Sequence, residues 1–342
     1  MPFLSCFSGI LRFLNSYRWP LCVNIYAFCY ICTLLDEILD IMKRFFITLI
    51  LAIVAFVGAN AQLLYKISGN GLDAPSYIVG TYHLAPASFV DSIPGARAAL
   101  DAVGQVCGEI GMAEMNSPEG TKKVMAAMML PDGKSLKDVL SPEEFAKLDA
   151  YMTDVMGVGL SNPMIAAQLG KMTPMAISTQ LQLLQYMKMT PGFNPNALID
   201  SYFQTAAAKM GKPVVGLETI DFQISVLYKG RSIERQTVQL MCMIDNKEYE
   251  LMIMKSLTDA YFSQDMEKLL EITEEKLGNK CDSTPEEDEA LIYGRNADWA
   301  VKMPAIMEGK STLFVVGAAH LPGERGVVEL LKKRGYTVEA VK

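Results

Sequence analysis

Two histidines serve the whole 342-residue chain, and both stand in the same setting. "YIVGTYHLAP" (77–86) holds His83 and "LFVVGAAHLPG" (313–323) holds His320, each an apolar run followed by Gly-x-x-His, then Leu and Pro. Two carboxylates occupy comparable places, Glu109 in "VCGEIG" and Glu218 in "VVGLET". Imidazole and carboxylate together form a ligand set that Mn, Fe, Co or Zn would accept. A carboxylate left over can act as general base on a metal-bound water. A lone His is ordinarily a hydrogen-bonded structural residue, and a Glu at a strand end is ordinarily an ion-pair partner. The repeated tetrapeptide, in a chain with no other histidine, argues instead for one shared site. Arg295, in "YGRNADWA" (293–300), could hold a substrate carboxylate or stabilise an oxyanion. On the residues alone, an ordinary structural arginine is the simpler reading.

These residues need a frame that brings them together. Four apolar runs predict buried strands, at 76–83, 102–111, 212–219 and 311–320. Each is rich in Val, Ile or Phe and lacks clean alternation, as strands covered on both faces do. "YTVEAVK" is a further strand candidate, after the amphipathic helix "RGVVELLKKRG" that Gly335 stops. Between the strands the pattern is helical. "SPEEFAKLDAYMTDVM" (141–156) opens on a Ser-x-x-Glu capping box, "NALIDSYFQTAAAKMGK" leads into the third strand, and residues 232–262 read as a long helical stretch with a break. The expected class is α/β, a mostly parallel central sheet with flanking helices and a helical insertion at about 112–200. Methionine is frequent in the insertion, which reads as an adaptable core, with a plastic substrate-facing surface as the alternative.

In open parallel sheets, ligands sit outside the carboxyl ends of the strands. If the four strands are parallel neighbours, His83, Glu109, Glu218 and His320 converge at one edge. The order His then Glu in the first half, and Glu then His in the second, suggests two pseudo-symmetric halves. Sequential strands are often neighbours, which would set Glu109 beside His83 and assign it to the metal. Glu218 precedes the helix opening at "TIDFQ", whose N-terminal dipole favours an ionised carboxylate, and is assigned to proton transfer. Spacing alone allows the reverse.

Residues 43–61, "KRFFITLILAIVAFVGANA", have the build of a secretory signal peptide: a basic pair, an apolar run and an A-x-A cleavage pattern before Gln62. The signal begins at Met42, so residues 1–41 read as an upstream extension from an early start; a membrane segment at 19–35 and an uncleaved anchor are the alternatives. The expected mature domain is 62–342, periplasmic or extracellular. The formal charge of −7 gives no sign of a nucleic-acid partner. Of seven cysteines, four lie in residues 1–41. The odd remainder, Cys107, Cys242 and Cys281, argues against a disulfide framework, and Cys107 reads as a buried thiol.

"IVGTYHLAP", "CGEI", "KPVVGLETIDFQ", "GRNADWA" and "FVVGAAHLPGERGVVELLKKRGYTV" together resemble the TraB/PrgY/GumN family, which is related to the Tiki metalloproteases. The resemblance spans essentially all of 62–342 and is strongest at the C-terminus. It implies an α/β domain, a divalent metal and hydrolysis of a peptide bond, and it points at His83, Glu109, Glu218, Arg295 and His320. The acidic residue usual before Gln stands here as Asp221-Phe222-Gln223, a slight departure.

The resulting expectation is an exported hydrolase of peptide or protein substrates that depends on Mn, Co, Zn or Fe. His83, Glu109 and His320 would hold the metal, Glu218 would move the proton and Arg295 would stabilise the oxyanion. The absence of H-E-x-x-H sets it apart from the zincin layout. The alternative, from another class, is a protein that captures a peptide or an iron or haem ligand without turnover. Membrane contact is expected only through an uncleaved signal segment.

Overall fold

The structure is a computed structural model that describes residues 62–342. The expected leader and upstream extension lie outside those residues. A six-stranded sheet forms the frame: β1 (Leu64–Ser68), β2 (Ser76–Thr81), β3 (Gln105–Gly108), β4 (Val214–Gly216), β5 (Thr312–Gly317) and β6 (Thr337–Ala340). Its order is β4-β3-β5-β2-β1-β6. The first four in that order run parallel, and β1 runs antiparallel to both β2 and β6. The sheet is therefore mixed and mostly parallel, within an α/β fold.

The four expected apolar runs became the four parallel strands. The strand not foreseen, β1, buries only Leu64 and Ile67 fully, too little apolar signal for the sequence pattern to carry. The expected adjacency of the first two strands does not hold, because β5 lies between β2 and β3. The physical reason is burial. "TLFVV" in β5 is buried along its whole length, and a segment that apolar is most stable in the middle of a sheet covered on both faces.

The sheet's core joins Ile78, Val106, Leu313 and Phe314 to Phe203, Tyr261 and Trp299 from the helices. A second core forms in the helical region, with Leu136, Leu148, Met152, Ile177 and Leu181 packed around Leu240 and Met243. The last two belong to helix Ile233–Asp245, so this lobe draws in a helix well beyond residue 200. Its methionines divide between the two sequence readings: Met152 is fully buried, whereas Met125 and Met164 are 64% and 72% exposed. Ser141 and Glu144 make the expected capping box, and the long helical stretch breaks at Asn246.

One expectation about cysteine is overturned. Cys242 and Cys281 form a disulfide across 39 residues, and Cys107 is the free, buried thiol. An odd count was a poor guide because the unpaired cysteine is a core residue. The bridge ties helix Ile233–Asp245 to the segment ahead of Thr284, where Arg235 also binds the carbonyls of Lys280 and Asp282 and the Glu287 carboxylate.

Candidate active site

The four sequence-assigned residues do gather at the carboxyl edge of the parallel strands. None lies inside its strand. His83 follows β2 by two residues, Glu109 directly follows β3, Glu218 follows β4, and His320 closes a 3₁₀ turn after β5. Backbone pairing continues past the strand ends, from Leu217 N–H to Gly108 O and from Glu218 N–H to Glu109 O at 2.9 Å, which sets the two carboxylates side by side. Gly80, of the first Gly-x-x-His, packs on the second. A Cβ there would come within 2.9 Å of Leu321 and 3.0 Å of the Ala318 backbone, so a larger residue would push the corners apart.

Arg295 sits at the centre. It follows a π turn at Glu289–Tyr293, a local irregularity common at functional sites. Its Nε donates to Glu218 Oε1 at 2.8 Å, and its Nη2 donates to Glu218 Oε2 at 3.0 Å and Glu109 Oε2 at 2.6 Å. Its Nη1 donates to Leu291 O at 3.1 Å and faces His320 Nε2 at 3.3 Å. A guanidinium has five N–H groups, and these contacts engage all of them. The expected oxyanion stabiliser is, in this arrangement, a saturated clamp that stacks on Trp299 with its carbon 4.8 Å from the ring centroid.

The two carboxylates differ in access. The Glu218 side chain has no exposed surface. It also accepts from Trp299 Nε1 at 2.7 Å and Gln223 Nε2 at 3.0 Å, so it lies behind Arg295 with its oxygens fully engaged. Glu109 is 17% exposed and faces the cleft, and its Oε1 accepts from Gly317 N–H at 2.7 Å. Burial pushes the Glu109 pKa up, while the charges of His320 and Arg295 and the Gly317 N–H pull it down, and the net shift is downward. Glu109 is thus an ionised carboxylate at neutral pH.

The two histidines are held in different surroundings. His320 is buried at 4% exposure, with its ring centroid 4.4 Å from that of Trp299. Its Nδ1 contacts Asn296 Oδ1 at 2.7 Å. Asn296 Nδ2 donates to Arg325 O at 2.9 Å, which fixes the amide so that Oδ1 must accept. Nδ1 therefore carries the proton and Nε2 the lone pair. Desolvation lowers the His320 pKa to about 4, so the ring is neutral. His83 stands at the cleft mouth with 77% of its side chain open to water, its Nδ1 3.3 Å from Asp200 Oδ2. The Nδ1 contact with Asp200, and then the carboxylate charge, raise the His83 pKa to about 9, with solvent screening part of that pull.

Sequence reasoning missed Asp200, Asn296, Trp299 and Gln223. Asn296 and Trp299 stood inside the quoted "GRNADWA", and Gln223 inside "TIDFQ", where the acidic neighbour Asp221 instead turns outward to Lys123 at 2.9 Å. All these groups border or back a cleft of about 600 Å³, whose walls include Met112, Met115, Leu227, Leu257, Leu291 and Ile292.

The donors of the expected metal set do not stand as a ready ligand cage. His83 turns to Asp200, while Glu109 Oε2 and His320 Nε2 both face Arg295. Among the described residues no group of three or more His, Cys, Asp or Glu is placed to hold a metal ion. The guanidinium occupies the position that a cation shared by Glu109 and His320 would take.

Sequence comparison supplies relatives at low identity. The chain is 22% identical over 310 residues to Metalloprotease TIKI1 of Danio rerio, covering 78% of this chain and 61% of that protein. It is 23% identical over 306 residues to the Metalloprotease TIKI homolog of Amphimedon queenslandica, covering 77% and 59%. With Metalloprotease TIKI1 of Homo sapiens it shares 22% over 309 residues, covering 78% and 60%. The chain thus spans about three fifths of the length of the curated relatives it matches. No solved structure matches it. The sequence model of the TraB/PrgY/gumN family matches residues 63–340, and the chain belongs to that family.

Proposed function

We propose that this chain is an exported, peptidase-like hydrolase whose reaction centre is the cleft between His83 and His320. The observation that carries the reading is the convergence of two imidazoles, each with its own polar partner, and one accessible carboxylate on a single partly apolar cleft. Hydrolysis of an amide needs a group to take a proton from water and a group to give one to the leaving amine. Glu109 faces the cleft ionised and suits the first task. His83, kept protonated by Asp200, suits the second. Glu218, expected to move the proton, is better read as the anchor of Arg295, because it has no free oxygen and no access to the cleft. Apolar walls such as Met112, Leu227 and Leu291 suit a substrate with a large apolar side chain beside the scissile bond. The Cys242–Cys281 bridge supports an oxidising compartment and hence export.

The name of the relatives implies a divalent metal, and Mn, Co, Zn or Fe was the sequence expectation. The donors as they stand do not fit one, so the steps above use only the chain's own groups. A second reading is favoured by the saturated Arg295: a protein that captures a peptide or an iron or haem ligand in this cleft without turnover.

The test is digestion of a peptide library by the full chain, read by mass spectrometry, in chelated buffer and with added Mn²⁺, Co²⁺ or Zn²⁺. Cleavage is expected, and Glu109→Gln should reduce it by roughly 100- to 10,000-fold, the usual contribution of a general acid or base. Peptides or haem retained on the protein with no product under any condition would support the binder instead.

A further inference from the structure

We infer that Asp200 and Asn296 are matched positioning residues, each set against the Nδ1 of one Gly-x-x-His imidazole and so fixing the orientation of that ring at the cleft. The inference rests on the proposed reaction centre. Its two halves are independent contacts. Asn296 Oδ1 meets His320 Nδ1 at 2.7 Å, with the amide fixed from behind by Arg325 O. Asp200 Oδ2 meets His83 Nδ1 at 3.3 Å, and Asp200 is fixed from behind through Oδ1, which accepts from Thr81 Oγ1 at 2.5 Å. The Asp200 Oδ2 atom is buried and makes no hydrogen bond, and the His83 ring stands beside it as an ion-pair partner. A buried carboxylate oxygen without a hydrogen bond is costly, which favours an imidazole turned with Nδ1 toward it.

The two holders come from different parts of the chain. Asp200 lies in the first turn of helix Ile199–Lys209, and Asn296 lies in helix Gly294–Glu308. A histidine held through one ring nitrogen has its tautomer and orientation set, and removing such a holder typically costs about 10- to 100-fold in activity. The holders also differ in chemistry: a carboxylate at the exposed ring and a carboxamide at the buried one.

Because the chain has two histidines and no more, ring ¹⁵N NMR of the metal-free full chain gives two imidazole patterns, which His83→Gln and His320→Gln assign. In the parent, His320 should show a protonated Nδ1 and a bare Nε2, the less common tautomer. Asp200→Leu should release His83 to the common Nε2–H form, and Asn296→Leu should shift the His320 Nδ1 signal as its acceptor is lost while Arg295 still faces Nε2, each without changing the other ring. Where activity is present, each Leu variant should lose about 10- to 100-fold in kcat with KM changed by less than about threefold. Asp200→Asn, which keeps an acceptor, should retain the ring orientation and recover part of kcat; it also serves if Asp200→Leu does not fold. Ring patterns unchanged in Asp200→Leu, or Asp200→Asn no better than Asp200→Leu in both readouts, would overturn the inference. If no peptide is cleaved at all, the proposed function fails, while the NMR patterns still decide the positioning roles.

Discussion

The corner after β2 and the corner after β5 share the tetrapeptide Gly-x-x-His and almost nothing else. His320 is 4% exposed, packed on Trp299 and backed by an amide, with Arg295 against its Nε2. His83 leaves 77% of its side chain in water and faces a carboxylate. The same local sequence therefore yields a neutral ring in one place and a charged ring in the other. The difference comes from the helices that pack on each corner, because a ring's charge follows its desolvation and its nearest charge. A repeated motif specifies position here; its tertiary neighbours specify chemistry.

The comparison can be broken most severely at the buried corner. Glu218→Gln leaves the Arg295 charge short of its main partner in a site where the two side chains are 0% and 7% exposed. A loss of about 3–5 kcal/mol in unfolding free energy is expected, as for other buried pairs deprived of one member. Denaturant titration measures it, and a loss below about 1 kcal/mol would show that Arg295 does not depend on this carboxylate.

Removing the rings should separate the corners next. His320→Ala leaves Asn296 Oδ1 and an Arg295 N–H unpaired inside the protein and should cost about 2–3 kcal/mol. His83→Ala removes an exposed ring and opens Asp200 Oδ2 to water, so it should cost less, under about 1 kcal/mol. Equal losses in the same unfolding experiment would dissolve the distinction.

A further expected effect is a pair of opposite pH slopes in metal-free protein, the alkaline one the smallest change of all. The folded pKa of His320 lies near 4, below its ordinary 6.5. The unfolded chain therefore binds more protons in that window, and stability is lost as pH falls from 6.5 toward 4. The folded pKa of His83 lies near 9, above 6.5. Its contribution is present below 6.5 and is lost as pH rises toward 9, by less than about 1 kcal/mol at this exposure. His320→Gln should flatten the acid slope and His83→Gln the alkaline one. Slopes that survive these substitutions would place the titrating groups elsewhere.

What could be read from the sequence, and what could not, divides along the same line. His83, Glu109, Glu218 and His320 were legible because each follows an apolar run, and parallel strands deliver such ends to one edge. Asp200 was not, because it meets His83 from a helix 119 residues beyond Thr81, and nothing local marks it apart from other helix-start aspartates. The parts of the two carboxylates were assigned from an assumed β2–β3 adjacency, and insertion of β5 between them removed that support. Arg295 was legible as a member of the site, but the saturation of its donors depends on a carbonyl and an imidazole supplied from elsewhere in the fold. The disulfide was hidden by a parity argument that a single core cysteine defeats.

In the proposed reaction, two corners with the same tetrapeptide deliver one charged and one neutral imidazole to the cleft. The pH dependence of kcat/KM for peptide cleavage by the full chain tests it most directly, since that profile reports the ionisations of the free enzyme. The account predicts a basic limb near 9, the His83 value, and a move of that limb toward 6.5 in Asp200→Asn. A profile with no basic limb in that region, or one that Asp200→Asn leaves in place, would contradict it.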